Sequence, residues 1–173
     1  MTLDPAQSAQ FASAVQSATG RRDVCDALAK VYHDLQTRID ERKPLCVASG
    51  KCCRFETYGH RLFVTTMELA SFLTAWRRGG WSDEMAESVR GWIGTGCPFQ
   101  IDKLCGVHMD RPFGCRIFFC DPTATQWQQD QYEQFHRQLK QLHETLGVPY
   151  YYVEWREALK AAGIAPAEPA VST

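Results

Sequence analysis

The sequence predicts a mostly α-helical fold, a single small domain with a loop-built cysteine metal centre and at most short strands. The chain has 173 residues, which is the size of one ordinary domain. Several long segments carry apolar residues at helical spacing, whereas most cysteines fall in two irregular segments rich in glycine and proline. We expect residues 1–20 to form an N-terminal arm or short helix, residues 21–163 the cysteine-cluster domain, and residues 164–173 a disordered tail.

The first strong helical pattern runs over residues 22–42. Its apolar side chains recur at steps of three and four and form one stripe, with charged side chains on the opposite face. The stripe consists of Cys25, Leu28, Tyr32, Leu35 and Ile39. We therefore expect Cys25 to be a small buried hydrophobic residue, and we set it apart from the other cysteines.

The middle of the chain predicts a short strand and two shorter helices. Residues 61–65 fit the strand, and Thr65 with Glu68 three positions later forms a capping-box pattern that begins the first helix. The Gly-Gly pair at residues 79–80 ends this helix, because glycine commonly follows the last helical turn. Ser82 then caps the second helix.

Helical periodicity returns over residues 124–146. The apolar face of this helix carries Trp127, Phe135, Leu139, Leu142 and Leu146. Residues 150–153 are typical of a short extended segment, and a final helix is expected over residues 154–162. We expect solvated side chains at the helical histidines, which are His33, His136 and His143.

Composition and charge exclude several classes of function. Hydrophobic residues make up 45% of the chain and charged residues 23%, as in globular proteins. The net charge of -1 argues against non-specific nucleic-acid binding, which requires a basic face. No run of about 18 or more apolar residues is present to span a membrane. The first residues lack the basic and apolar regions of a secretory signal, so we expect a cytoplasmic location, where stable disulfides are rare.

Seven of the eight cysteines are candidate metal ligands, because they lie in two irregular segments that can bend several thiolates towards one point. Soft thiolate sulfur suits zinc and iron–sulfur clusters. The seven are Cys46, Cys52, Cys53, Cys97, Cys105, Cys115 and Cys120.

The spacing of these cysteines does not fit the common metal motifs. The gaps within the two segments are five, seven, nine and four residues, whereas zinc fingers and ribbons use paired Cys-x(2–4)-Cys knuckles. Ferredoxins also use shorter repeated gaps. Cys52 and Cys53 are adjacent, so we expect one of them to face the main centre, while the other faces a second metal or packs inside.

The two cysteine segments resemble the YkgJ-like cysteine-cluster family, also called the CxxCxxCC zinc- or iron-chelating domain. The first segment, residues 46–53, reads Cys-Val-Ala-Ser-Gly-Lys-Cys-Cys, with Ser49 where the family has its second cysteine. The second segment continues the match with Cys97-Pro98-Phe99, Cys105, Arg111-Pro112, Cys115-Arg116, Phe118 and Cys120. The resemblance covers residues 46–120, including the helix start at Thr65 and Glu68.

The resemblance implies binding of iron or zinc, with an iron–sulfur cluster in several members of the family. We expect a 4Fe-4S cluster, because seven loop cysteines exceed what one tetrahedral zinc uses and cysteines from separated segments can reach a four-iron cluster, with zinc as the alternative. Relatives of the family include flagellin lysine N-methylase, a much longer chain with the same cysteine domain. The glycine-rich residues 91–96 lie between predicted helices and not after a strand, so we do not expect methylase catalysis by this chain.

Two arginines of the matched motif, Arg111 and Arg116, bracket Cys115. They would offset the negative charge of a thiolate-bound group and tune its potential, and the alternative is an ordinary ion pair with a surface carboxylate. His108 forms a Cys-x2-His pair with Cys105, and we expect it to contribute its ring to the wall of the centre, with ligation as the alternative. The phenylalanines around the cysteines would exclude water: Phe55, Phe99, Phe113, Phe118 and Phe119.

Three classes of function remain open from the sequence. The leading one is an iron–sulfur or iron-binding protein that acts in electron transfer, in metal handling or as an accessory to a modifying enzyme, with a protein partner of unknown identity. The second is a zinc-stabilised protein-interaction module. The third is a metal-dependent enzyme with an open coordination site, in which Arg111 or Arg116 holds an anionic substrate.

Overall fold

Helices make up most of the chain in the computed structural model, which describes residues 3–79 and 81–166. The helices are α1 (Pro5–Ala18), α2 (Arg22–Arg42), α3 (Phe55–Tyr58), α4 (Thr66–Gly79), α5 (Asp83–Arg90), α6 (Phe113–Arg116), α7 (Thr125–Thr145) and α8 (Trp155–Ala161). The strands are β1 (Phe63–Thr65), β2 (Gln100–Ile101), β3 (Leu104–Cys105) and β4 (Tyr152–Glu154). Two 3-10 turns cover Lys51–Cys53 and Pro122–Ala124. The mostly helical class with short strands is therefore confirmed.

The N-terminal segment is a helix and belongs to the core. Asp4 caps α1 in a capping box, in which its carboxylate accepts from the Gln7 amide at 2.8 Å and the Gln7 side chain accepts from the Asp4 amide at 3.1 Å. Phe11 and Val15 are buried where α1 packs on α4 and α8. Of the two alternatives for this segment, arm or helix, the structure has a helix over residues 5–18, and residues 1–2 lie outside the described residues.

Helices α2, α4 and α7 pack around the rest of the core, with α2 packed against both others. The buried face of α2 consists of Val24, Leu28, Val31, Leu35 and Ile39. Cys25 is only half-buried, so the prediction that it is a buried residue is wrong, because the inward face turns towards Val24 and Val31. The capping box at α4 is also present: the Thr65 amide donates to Glu68 at 2.9 Å, and the Glu68 amide donates to the Thr65 hydroxyl at 3.4 Å. Prediction and structure agree closely on these three helices because each has a strong periodic pattern.

The two small sheets bring distant parts of the chain together. Strands β1 and β4 pair antiparallel, with Val64 opposite Val153. Strands β2 and β3 form a hairpin in which Gln100 lies opposite Cys105. The residues at its tip, Asp102 and Lys103, both have positive φ, as a two-residue hairpin turn of this hand requires.

Two histidine predictions are corrected by the structure. His143 is buried and its Nδ1 lies 3.0 Å from the Val148 carbonyl oxygen, because the chain reverses at Gly147 and covers the end of α7. His136 is half-buried, and its Nε2 lies 2.8 Å from the Tyr150 hydroxyl. His33 is exposed as expected.

The start of the expected tail is packed and not free. The amides of Ile164 and Ala165 both donate to the Leu159 carbonyl, and Ala165 is buried. The prediction of disorder over residues 164–173 is therefore wrong for Ile164 and Ala165, since these bonds close the end of α8. Residues 167–173 lie outside the described residues.

No helix in the described parts of the chain combines the length and the apolar character needed to cross a membrane.

Candidate metal centre

Five of the seven candidate ligands lie together. They are Cys52, Cys53, Cys97, Cys105 and Cys115, which we call the five-thiol centre. Cys53 lies in the middle, and the thiols of Cys52, Cys97 and Cys105 are close enough to raise its pKa. Cys115 is close enough for the charges of Cys97, Cys105 and Cys52 to act on it.

A backbone hydrogen bond joins the two cysteine segments directly. The Cys97 amide donates to the Cys53 carbonyl at 2.8 Å. Gly96 makes this approach possible, because its φ is +61° and a Cβ there would lie 3.1 Å from the same carbonyl oxygen. On the other side of the first segment, Gly50 begins the 3-10 turn in the left-handed conformation. The position of Cys53 beside Cys97 is therefore fixed by backbone geometry.

The β2–β3 hairpin contributes Cys105 and contacts the first cysteine segment. The side-chain amide of Gln100 donates to the carbonyl oxygens of Gly50 at 3.0 Å and of Lys103 at 3.3 Å. A Cβ at Gly50 would lie only 2.2 Å from the Lys103 carbonyl oxygen, so only glycine allows the loop and the hairpin to meet. These contacts place Cys105 against the turn that carries Cys53.

A buried carboxylate positions the segment that carries Cys115. Glu68 is only 3% exposed, and it accepts from the Phe113 amide at the start of α6 at 2.8 Å. It also accepts from the Thr65 amide, and the Tyr32 hydroxyl lies 3.5 Å away. Burial raises the pKa of Glu68 although these hydrogen bonds oppose the rise. Sequence reasoning identified Glu68 only as a cap and missed this second role.

The thiols of the centre differ in their affinity for protons. The hydrogen bond from Cys53 lowers the pKa of Cys52 to about 6 and that of Cys105 to about 7. Contacts with neighbouring thiols raise the pKa of Cys53, and burial raises the pKa of Cys115 well above its usual value. Before any metal binds, Cys52 is therefore mostly thiolate at neutral pH and Cys105 about half thiolate, and thiolate is the form that binds metals.

Arg111 supplies positive charge to the thiols. Its charge lowers the pKa of Cys52 and Cys105 and opposes the rise at Cys115. Its Nε is buried and has no hydrogen-bond partner among residues 3–79 and 81–166. Neither Arg111 nor Arg116 takes part in an ion pair in those residues, so the alternative of a surface ion pair has no support.

Arg116 holds the loop in place and also interacts with the charge of Cys115. It donates to the carbonyl oxygens of Met109 and Arg111, and its guanidinium lies 4.2 Å from the Tyr32 ring centroid. We therefore describe Arg116 as a positioning residue for Arg111. The side chain of His108 is largely exposed. The burial of a small part of it and the charges of Arg111 and Arg116 lower the pKa of His108.

The remaining two candidate ligands, Cys46 and Cys120, are exposed at the surface. Their segments run beside each other, because the Leu45 amide donates to Asp121 at 3.0 Å and the Ser49 hydroxyl lies 3.8 Å from the Cys120 sulfur. Ser49 stands where the resembled motif has its second cysteine. The structure thus divides the seven cysteines into a group of five and an outer pair.

A cavity of about 410 Å³ opens beside Cys52 and Cys115. Its wall includes His60, whose ring stacks on Phe118 at 4.7 Å between centroids and whose Nε2 lies 3.2 Å from the Cys52 carbonyl oxygen. The His60 Nδ1 is buried without a partner in the described residues. Phe119 also lines the cavity, whereas the other three phenylalanines predicted to exclude water are fully buried: Phe55, Phe99 and Phe113.

The thiols contact one another and do not surround a common point. Within the described residues, no three or more His, Cys, Asp or Glu side chains are arranged to hold a metal ion. The fit to a thiolate-bound group therefore rests on the chemistry of the donor set. Five thiols lie near one another, the charge of Arg111 acts on three of them, and sulfur donors alone are typical of zinc or iron–sulfur sites.

Comparisons of the chain with protein-family models, with curated proteins and with solved structures give no match.

Proposed function

We propose that this chain is an iron–sulfur protein whose cluster is held by the five-thiol centre and whose role is electron transfer or support of a modifying enzyme. One observation carries the proposal: segments that are separate in the chain bring five thiols near one another, and the Cys97 amide donates to the Cys53 carbonyl. Among the described residues, the side chains that act most strongly on these thiols are other thiols and Arg111. Such an all-sulfur set favours zinc or an iron–sulfur cluster over iron bound by nitrogen and oxygen.

The separation of the thiols along the chain favours a cluster over a single zinc ion. A zinc ion and a 4Fe-4S cluster each take four cysteine ligands, but the cluster is a larger body that cysteines from widely separated segments can reach. A 4Fe-4S cluster, when bound, would supply one-electron transfer. Arg111 would offset part of the negative charge that several thiolates bring to the site. The backbone hydrogen bond from Cys97 to Cys53 would keep both cysteine segments in place around the cluster.

A second candidate is a protein-interaction module stabilised by two zinc ions. The observation that favours it is the central place of Cys53, whose thiol is shared by three neighbours. A thiolate that bridges two zinc ions would need this position. In that case the metal would contribute folding free energy and no redox chemistry.

Metal analysis of protein purified without oxygen separates the two candidates. We expect stoichiometric iron and acid-labile sulfide, a brown colour and a visible absorption band that dithionite bleaches. Cys53→Ser should lose these signals, whereas Cys25→Ser, a matched change on α2, should keep them. Stoichiometric zinc in a colourless protein would overturn the proposal in favour of the interaction module.

A further inference from the structure

Exposed apolar side chains are concentrated around the five-thiol centre. Across the described residues, seven large apolar side chains are exposed. Five of these seven lie in or beside the loops that carry the cysteines: Leu45, Val47, Tyr58, Leu104 and Met109. Leu45, Val47 and Leu104 are each more than half exposed, at 59%, 58% and 57%. Apolar side chains gathered at one place on a surface are typical of a site that binds another molecule.

Four of these side chains belong to one continuous surface. The loop with Leu45 and Val47 meets the hairpin with Leu104 through Gly50, whose carbonyl accepts from Gln100. Tyr58 joins the same surface, because Lys51 and Arg54 from the first cysteine segment lie over its ring at 5.2 and 5.1 Å. We call this surface the cysteine rim. It consists of Leu45, Val47, Tyr58, Leu104, Lys51, Arg54 and Lys103.

The cysteine rim is basic although the whole chain has a net charge of -1. It carries three cations, and Asp102 at the hairpin tip is the carboxylate beside them. Of the other nearby carboxylates, Glu56 shares Arg156 with Glu154, and Asp121 accepts from the amides of Leu45 and Thr123. The rim itself therefore carries three cations against the one carboxylate of Asp102, around apolar side chains.

We propose that the cysteine rim is the docking surface for an acidic electron-transfer protein that exchanges electrons with the centre beneath it. This inference rests on the proposed function. Opposite charges steer two proteins together and speed their association, whereas apolar contact holds the encounter. Electron-transfer complexes are typically small and short-lived, which suits a rim of a few apolar side chains. Cys52 and Cys105 are half-buried and follow Lys51 and Leu104 of the rim directly in the chain, so the distance to a docked partner is short.

The test measures electron exchange with two probe proteins of opposite charge by stopped-flow absorption. A plant-type ferredoxin serves as the acidic probe and a cytochrome c as the basic one. We expect the rate with the acidic probe to fall on the order of tenfold as salt rises from about 20 to 200 mM, because salt screens the attraction. The rate with the basic probe should rise or stay constant.

Charge-reversal variants locate the effect. Lys51→Glu with Lys103→Glu should remove most of the salt dependence with the acidic probe. The control variant, Arg22→Glu with Lys30→Glu, makes the same charge change at exposed positions of α2 and should keep the salt dependence of the exchange rate. Leu104→Ser changes no charge and should slow exchange at high salt, where apolar contact dominates. Equal iron and sulfide content shows that each variant retains the centre.

The outcomes separate this inference from the proposed function. A wild-type protein without iron and sulfide refutes the proposed function, and the docking inference falls with it. The docking inference alone is overturned by a different result. In that case dithionite reduces the cluster, but the rate of exchange with the acidic probe is independent of salt and is the same in the Lys51 and Lys103 double variant as in the wild type.

Discussion

Replacing Glu68 should destabilise the fold and loosen the centre together. The carboxylate of Glu68 accepts from two buried backbone amides, those of Thr65 and Phe113, at 2.9 and 2.8 Å. Glu68→Ala leaves both amides without an acceptor, and each unsatisfied buried group costs about 1–3 kcal/mol. The free energy of unfolding should therefore fall by about 2–6 kcal/mol. Glu68→Gln keeps one acceptor oxygen and should cost about 1–3 kcal/mol.

The pH dependence of this effect has a definite sign. Burial raises the pKa of Glu68 in the folded protein above its ordinary value of 4.5. The folded state therefore binds the Glu68 proton more tightly than the unfolded state. The contribution of Glu68 to the free energy of unfolding falls as pH rises above about 4.5 towards the raised pKa. Glu68→Gln has no such proton. The stability difference between wild type and Glu68→Gln should thus be larger at pH 4.5 than at pH 7.

Urea denaturation of both proteins across this pH range measures the difference directly, since contributions from all other groups cancel. Release of iron to a chelator reports the effect on the centre, because the Phe113 amide begins the helix that carries Cys115. Wild-type stability in Glu68→Ala would contradict the reasoning. A difference between wild type and Glu68→Gln that does not change with pH would contradict the assignment of a raised pKa.

Three further predictions concern the centre itself. Cys53→Ser should lose most of the bound metal and much of the cooperativity of unfolding, whereas Cys25→Ala should keep full loading and cost only on the order of 1 kcal/mol. In metal-free protein, alkylation of Cys52 by iodoacetamide should reach its maximum rate near pH 7, because the pKa of this thiol is about 6. The alkylation rate of an ordinary thiol continues to rise past pH 8. Peptide mass analysis gives the rate at each cysteine. Gly96→Ala should destabilise the protein by more than Gly147→Ala in thermal unfolding, since both glycines have a φ of +61° but only Gly96 faces a carbonyl oxygen, that of Cys53. Equal losses in the two glycine variants would mean that the close approach to Cys53 is unimportant.

Local patterns made the long helices predictable, and the lack of such patterns explains what was missed. The boundaries of α2 were predicted because its apolar stripe and the proline after it are both local signals. The β2–β3 hairpin was not identified, because its turn uses Asp102 and Lys103 in left-handed conformations where glycine or asparagine would be typical. The burial of His143 depends on Val148 folding back over it, which no periodic pattern of α7 contains.

The candidate site was predictable in its residue types but not in its grouping. Sequence alone placed seven cysteines in two segments, and the structure brings five of them together. Whether a loop thiol is buried depends on which segment packs over it. Ser49 beside Cys120 and Glu68 beside Phe113 are contacts between residues far apart in the chain, so a single sequence carries no sign of them.

The pairing of β1 with β4 sets an order for the biosynthesis of the centre. Phe63 pairs with Glu154, and the Trp155 amide donates to the Leu62 carbonyl, so the segment just before α4 is completed by residues near the end of the chain. All eight cysteines are translated before this partner strand. Domains fold as units once their sequence has emerged from the ribosome, so the nascent chain carries its thiols unprotected until β4 arrives. Under the proposed function, insertion of a cluster should consequently wait until β4 has been synthesised.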